Sequence, residues 1–331
     1  MPATINDVAR RCGYSKATVS RAYSNPLSVS DKAREKIYAA AKELNYTPNA
    51  IARAMARQRT ENVAFIIHEK QYPANMNPFY APILDALVRE TSKRNYSVFV
   101  TTNHDSRLPN GEICITKKMD GVIFAGEADP EVVESFLNQK IPVVLLNNEM
   151  HMDQLTCIVV DHYQGAVAAV EHLYEKGYRN IGIISGRFST QVYEARLKGY
   201  VDVMMRHGLS LDETFMATIE PTVEEAIATM TAMLQKNNHP SAFFCTNDTI
   251  AAGAVKAALR MGLKVPEDVA VVGFDDSVVS RMVEPELTTV HIDSAKMGQI
   301  AATRLFEYIE QECKPTEIIT IPTSLVVRDT T

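Results

Sequence analysis

The stretch "TINDVARRCGYSKATVSRAY", residues 4–23, puts four basic residues, one glycine and many small side chains into 20 positions. Thr4 can cap a helix, and Asp7 three residues on completes a capping box with Asp in place of Glu. Ile5, Val8, Ala9 and Cys12 then recur at helical spacing. Gly13 ends that helix, as a residue free to take positive φ does. Ser15 caps a second helix from Lys16 to about Tyr23. Ala9, Gly13 and Val19 thereby fall at the places a helix-turn-helix needs. The small residue allows close approach, the glycine turns the chain, and the β-branched residue plugs the joint. In such a pair the second helix enters the DNA major groove, with its first residues at base edges.

Outward from this pair, Ser30 caps a third helix over about 31–44, with Ala33, Ile37, Ala40, Ala41 and Leu44 as its apolar stripe. Three short helices bury little area, so this head has only marginal stability of its own. Residues 1–60 carry 11 Lys/Arg and 4 Asp/Glu, a charge of +7, whereas the remainder carries −13. A basic head on an acidic body is the footprint of a polyanion-binding module. A solvated basic face is the bland alternative.

After Thr60 the pattern changes. Apolar, β-branched runs at 63–68, 96–102, 120–126, 141–147, 180–185, 241–246 and 269–274 alternate with helical patterns such as 82–93, 164–176 and 249–261. This alternation predicts doubly wound parallel sheets. Some 270 residues exceed one comfortable core, which implies two lobes with a ligand cleft between them. The five cysteines (Cys12, Cys114, Cys157, Cys245, Cys313) are scattered and lack a Cys-x-x-Cys pair, as reduced cytoplasmic thiols do. No apolar run approaches a membrane span, and no secretory signal stands at the N-terminus.

The head, together with "SVSDKAREKIYAAAKELNYTPNAIARAMA" (28–56), resembles the DNA-binding head of the LacI/GalR family of bacterial transcription regulators. "NPFYAPILDAL", "VEHLYEKGYRNIGIISG", "TNDTIAAGAVKAALRMGLKVPEDVAVVGFDDS" and "PELTTVHIDSAKMGQIAA" are similar to that family's effector-binding core. The resemblance implies an α/β chain with a helix-turn-helix head (1–48), a hinge helix and linker (49–60) and a two-lobed periplasmic-binding-protein-like core (61–331). The N-lobe is expected over about 61–162 and 291–321, and the C-lobe over about 163–290 and 322–331.

The resemblance also assigns roles. Lys16, Ala17 and Arg21 fall at base-reading positions. Arg21 can bond guanine O6 and N7 together, while Ala17 offers only a methyl group. Thr4, Ser15, Thr18, Ser20 and Asn25 fall where the family contacts phosphates, which fixes register without reading sequence. Asn49, Arg53 and Met55 belong to the hinge, which in the family folds as a pair in the minor groove. Met55 is the wedge that unstacks a base step, where leucine is usual, and Ala54 replaces the usual serine. Tyr14 stands where valine is usual, and either packs on the head or touches the DNA backbone.

In the core, Arg196, Asn247 and Asp275 match ligand-holding positions. Arg196 offers a planar fork for two oxygens, and the alternative for Arg196 and Asp275 is a mutual ion pair. Asn147 stands where relatives often carry aspartate. Phe79, beside Tyr80, stacks on a ligand ring or packs in the core. Asp161 and His291 are weaker candidates. Residues 105–120 are shorter than their usual counterpart, with Pro109 and Gly111 interrupting a helix.

The expected function is a DNA-binding regulator, a repressor in the first instance. Its expected partners are a near-palindromic operator, a second copy of the chain and a small effector. A sugar is foremost, with a sugar acid or phosphate as the variant that suits Arg196. A catabolite-control type driven by a protein corepressor is the alternative. No leucine heptads follow the last strand, which favours a dimer over a tetramer. A sugar-metabolising enzyme is the contrasting class, but the nucleotide and nucleophile motifs Gly-x-x-x-x-Gly-Lys-Ser/Thr, Gly-x-Gly-x-x-Gly and Gly-x-Ser-x-Gly are missing. No cofactor or metal is expected.

Overall fold

The computed structural model describes residues 3–24, 26–46, 59–68, 77–102, 119–187, 190–310 and 316–331. Asn25, Asn49, Arg53, Ala54, Met55, the hinge helix, nearly all of segment 105–120, Cys114 and Cys313 lie outside the described residues. The chain divides into two compact units, Met1–Glu61 and Asn62–Thr331.

The first unit holds α1 (Ile5–Cys12), α2 (Lys16–Ser24) and α3 (Asp31–Glu43). The Thr4 backbone N–H and its hydroxyl both donate to one Asp7 carboxylate oxygen, at 2.9 and 2.6 Å. These bonds hold the Asp7 carboxyl below its ordinary range. Gly13 takes φ 76° and its N–H donates to the Ala9 carbonyl at 3.0 Å, closing the first helix as a left-handed cap does. The Ser15 hydroxyl accepts from the Thr18 N–H at 3.1 Å and so caps α2. The third cap differs from expectation. Ser30 occupies the cap position of α3, but its hydroxyl makes no cap bond, and only its carbonyl is used, by the Arg34 N–H at 2.9 Å. Val8, Val19, Ala22, Ile37, Ala40 and Ala41 form the core of the unit. Tyr14 packs against this core half-buried, the first of its two expected placements.

The second unit contains two six-stranded sheets. The first is built from β1 (Asn62–Ile67), β2 (Ser97–Thr102), β3 (Gly121–Ala125), β4 (Val143–Leu146) and β5 (Thr156–Val160). Helices α4 (Tyr80–Ser92) and α5 (Pro130–Asn138) alternate with these strands. The chain then passes to α6 (His162–Glu175), β6 (Ile181–Gly186), α7 (Thr190–Arg206), β7 (Met216–Ile219), α8 (Val223–Leu234), β8 (Ala242–Cys245), α9 (Asp248–Arg260), β9 (Ala270–Asp275) and β10 (Thr288–Ile292). It returns to the first lobe for α10 (Ser294–Glu310) and β11 (Glu317–Ile321), then ends in the second with β12 (Thr323–Val326). The strand orders are β11-β5-β4-β3-β1-β2 and β12-β10-β9-β8-β6-β7. Every neighbouring pair is parallel except β10 with β12. His291 belongs to β10 and therefore to the second sheet.

Strands β3, β4 and β6 are buried at every residue, as strands covered on both faces are. One core cluster spans both sheets and includes Phe65 and Ile123 of the first with Phe244 and Phe274 of the second. Helices pack in close pairs. A Cβ added to Gly253 of α9 would lie 2.8 Å from the Val223 carbonyl oxygen and 2.5 Å from the Ala226 Cβ, both on α8. Burial pushes the Cys157 and Cys245 thiols up. Among the described residues no helix is long and apolar enough to cross a membrane.

Candidate functional site

Two places carry the chemistry, one in each unit. On the head, Ser15, Lys16, Ala17 and Arg21 are exposed along α2, while Val19 and Ala22 on its other face are buried. Lys16 and Arg21 have no acidic partner among the described residues. Three neighbouring arginines are neutralised: Arg10 by Asp7, Arg11 by Glu43 and Arg34 by Asp31. The exposed face of α2 thus keeps its positive charge. Thr18 and Ser20 are half-buried and Thr4 is exposed. The Ser15 and Thr18 hydroxyls bond each other at 2.9 Å.

In the second unit the carboxyl ends of the strands bring polar groups together, where doubly wound folds bind ligands. Arg196, on α7 and 3% exposed, lies 3.1 Å from an Asp275 carboxylate oxygen at the end of β9. It also donates to the Thr246 carbonyl after β8 and stacks 3.7 Å from the Phe274 ring centroid. The remaining direction of the fork meets His162 Nδ1 at 3.2 and 3.3 Å. Arginine only donates, so Nδ1 must accept and the imidazole proton resides on Nε2. That Nε2 is buried without a hydrogen-bond partner among the described residues. Burial, then the Arg196 charge, holds His162 well below the ordinary histidine range, so the ring is neutral.

Asn247 joins the cluster through Tyr193, to whose hydroxyl its amide nitrogen donates at 3.2 Å. Its amide oxygen accepts the Ile250 N–H and caps α9. Asp161 likewise caps α6, accepting from the Gln164 N–H at 3.1 Å. Phe79 meets Tyr80 edge-on at 5.0 Å and packs on the core cluster, in which Tyr80 is buried. His291 faces Asp276 at 2.9 Å, and Asp276 is also bound by Arg328. Asp276 is held below the ordinary carboxylate range by these bonds against the opposing effect of burial.

Asp248, the first residue of α9, accepts from the Thr289 hydroxyl at 2.5 Å and the Ser277 N–H at 2.6 Å. Burial, reinforced by the charge of Asp275, pushes its carboxyl up to about 7. Burial pushes Asp275 up to about 6 against the pull of Arg196.

A cavity of about 330 Å³ opens between the lobes, lined by Glu127, Asn147, Asn148, Glu149, Met150 and Gln191 among others. Gln191 of α7 spans to the first lobe: its amide oxygen accepts the Glu149 N–H at 2.9 Å, and its amide nitrogen donates to the Glu149 carbonyl at 3.1 Å. Asn147, 6% exposed, has a buried side-chain oxygen with no partner among the described residues.

The structure thus joins Arg196, Asp275 and Asn247 in one cluster, lines the cavity with Asn147, and uses Phe79 and Asp161 for packing and capping. His162, Thr246, Tyr193 and Gln191 are the members that sequence reasoning missed. For His162 a signal existed: it follows the apolar run "CIVV" at a strand's carboxyl end.

Residues 4–49 match the profile described as "Bacterial regulatory proteins, lacI family", and residues 170–331 that of a "Periplasmic binding protein-like domain". The NTD biosynthesis operon regulator NtdR of Bacillus subtilis (strain 168) is 33% identical over 336 residues, covering 99% of each chain. The Lac repressor dimer bound to operator and the anti-inducer ONPF is similar at a TM-score of 0.82 and 26% identity, over 100% of this chain and 99% of that one. The transcriptional regulator CelR in complex with cellobiose gives 0.72 and 27%, over 99% and 100%. A positively charged helix-turn-helix head and a two-lobed core, matched end to end by such regulators, place this chain in the LacI family of bacterial DNA-binding transcription regulators.

Proposed function

We propose that this regulator represses as a homodimer on a near-palindromic operator, and that a sugar held between the core lobes sets its operator affinity. The observation that carries the effector reading is the buried Arg196–Asp275–His162 cluster. The Arg196 charge is matched by Asp275, and the imidazole is neutral with an unmet Nε2–H donor. A buried donor left without a partner costs about 1–3 kcal/mol, which a ligand hydroxyl accepting from it would recover. The same matching removes the argument for a sugar acid or phosphate, because an anion would have to displace Asp275. The sugar reading gains support from the CelR–cellobiose complex, and the operator reading from the Lac repressor dimer.

Exposed apolar residues support self-association. Phe99 and Val100 stand on edge strand β2, with Val88 on neighbouring α4. Leu259 and Met261 close α9, and Val278 and Met282 lie on the short turn packed against it. Exposed apolar side chains on an edge strand and its neighbouring helix are a common feature of interfaces. Base reading falls to Lys16, Ala17 and Arg21, phosphate contact to Thr4, Ser15, Thr18, Ser20 and Asn25, and the minor groove to Asn49, Arg53 and Met55.

The test combines light scattering on the full chain, selection of bound duplexes from a random pool, and titration of the selected duplex with and without sugars. A dimer, an inverted-repeat consensus and a change of about 5–150-fold in operator affinity are expected, the usual range of allosteric coupling. A monomer on an asymmetric site, or operator affinity indifferent to every sugar, would sink the corresponding half of the reading.

A further inference from the structure

We propose that Gln191 clasps the two core lobes together at the cavity between them, and that the lobes part only when this clasp breaks. The inference rests on the reading of the core as the part that sets operator affinity, and it does not depend on which effector the core takes. The side-chain amide of Gln191 presents a donor and an acceptor side by side. The backbone of one residue presents the complementary pair. Gln191 meets Glu149 in this way: its oxygen accepts the Glu149 N–H at 2.9 Å, and its nitrogen donates to the Glu149 carbonyl at 3.1 Å. The two bonds share one register and form or break as a unit. Both residues line the cavity of about 330 Å³.

Each side of the clasp is anchored in its own lobe. On the first-lobe side, Glu149 lies between two ties to β5. The Asn147 N–H donates to the Ile158 carbonyl at 2.9 Å, and the Cys157 thiol donates to the Met150 carbonyl at 3.6 Å. On the second-lobe side, Gln191 is the second residue of α7. That helix is held to β6 by the Tyr200 hydroxyl, which donates to the Ile181 carbonyl at 2.7 Å. It also presses on α6, where a Cβ added to Gly199 would lie 2.8 Å from the Tyr163 carbonyl oxygen. A pull on the clasp therefore reaches whole lobes. The same two segments carry Asn147, two positions before Glu149, and Arg196, five positions after Gln191. The chain crosses between the lobes at Asp161, Asp293 and Pro322. Covalent crossings let the lobes turn about them, and the clasp, made by other residues, opposes that turning.

Hydrogen–deuterium exchange of the full chain, read by mass spectrometry, tests this with Gln191→Ala and the isosteric Gln191→Glu. A carboxylate at 191 still accepts the Glu149 N–H but cannot donate to the Glu149 carbonyl. In both variants, peptides containing the Glu149 amide are expected to exchange at least about fivefold faster, as loss of bonds of ordinary strength implies. Wild-type exchange across α9 will show that each variant is folded. Unchanged exchange at Glu149 overturns the clasp. Control of the operator is read separately, on a duplex selected with the wild-type chain. Its affinity is expected to differ from wild type by at least about threefold in both variants, because a shift between coupled states must appear in binding. Equal affinity alongside faster exchange overturns the link from clasp to operator. Failure of the wild-type chain to select any duplex sinks the operator reading and leaves the exchange measurement to decide the clasp.

Discussion

Arg21 projects from a helix whose opposite face is locked into the head by Val19 and Ala22. Its guanidinium is therefore aimed by packing and free of any acidic partner among the described residues. Arg21→Ala should relax operator choice at one base pair per half-site by about 1–3 kcal/mol. Binding-site selection on the variant checks this, and an unchanged consensus would remove Arg21 from base reading. Arg196 behaves differently because its donors are already taken. Arg196→Ala would strand Asp275, the Thr246 carbonyl and His162 Nδ1 in the interior. Breaking a buried pair in this way costs about 3–5 kcal/mol. The urea midpoint should fall accordingly; an unmoved midpoint would mean that the pair contributes little. Asp248 and Asp275 have carboxyls raised to about 7 and about 6 from the ordinary 3.8. The native state thus holds protons that the unfolded chain has released, and stability declines as pH rises through that window. His162 acts in the opposite sense: its lowered value costs stability as pH falls below its ordinary 6.5. Asp248→Asn isolates the first effect. The stability gap between wild type and variant should narrow as pH rises from about 4 to about 7. A constant gap would show that Asp248 stays ionised throughout.

At the scale of elements, the helix pairs depend on close backbone approach. Gly253→Ala places a methyl group against the Val223 carbonyl of α8. Overpacking of this kind costs about 1–3 kcal/mol, and the melting temperature should drop; a neutral result would mean that α8 shifts freely. Much at this scale was legible in the sequence. The expected runs at 63–68, 180–185 and 269–274 became β1, β6 and β9 with shifts of a single residue or so, because buried parallel strands are continuous apolar runs bounded by turns. Edge elements were harder. Strand β11 alternates in burial at Glu317–Ile321 and β7 is mostly half-exposed, so neither stands out as an apolar run. Ser30 shows the limit of cap reading: the residue type identified the helix start, but not whether the hydroxyl would be used. In the site, Arg196 and Asp275 were legible as residues, and their pairing was foreseen only as an alternative. Asn247 and Asp161, expected as ligand groups, each also cap a helix, since Asn and Asp suit both tasks equally. His162 was missed because its role depends on a contact 34 positions away.

Across the whole molecule, charge divides function. The head's +7 and the remainder's −13 attract one segment to a polyanion and keep the other off it. The two lobes divide the chain differently. It passes from the first sheet to the second after β5, back after β10 and over again after β11. The head is one continuous stretch of sequence, whereas each lobe is assembled from separate stretches. Recombination can therefore exchange the head as a single cassette and give an old sensor a new operator. Exchanging one lobe would require matched cuts at three junctions, so the lobes must evolve together, residue by residue.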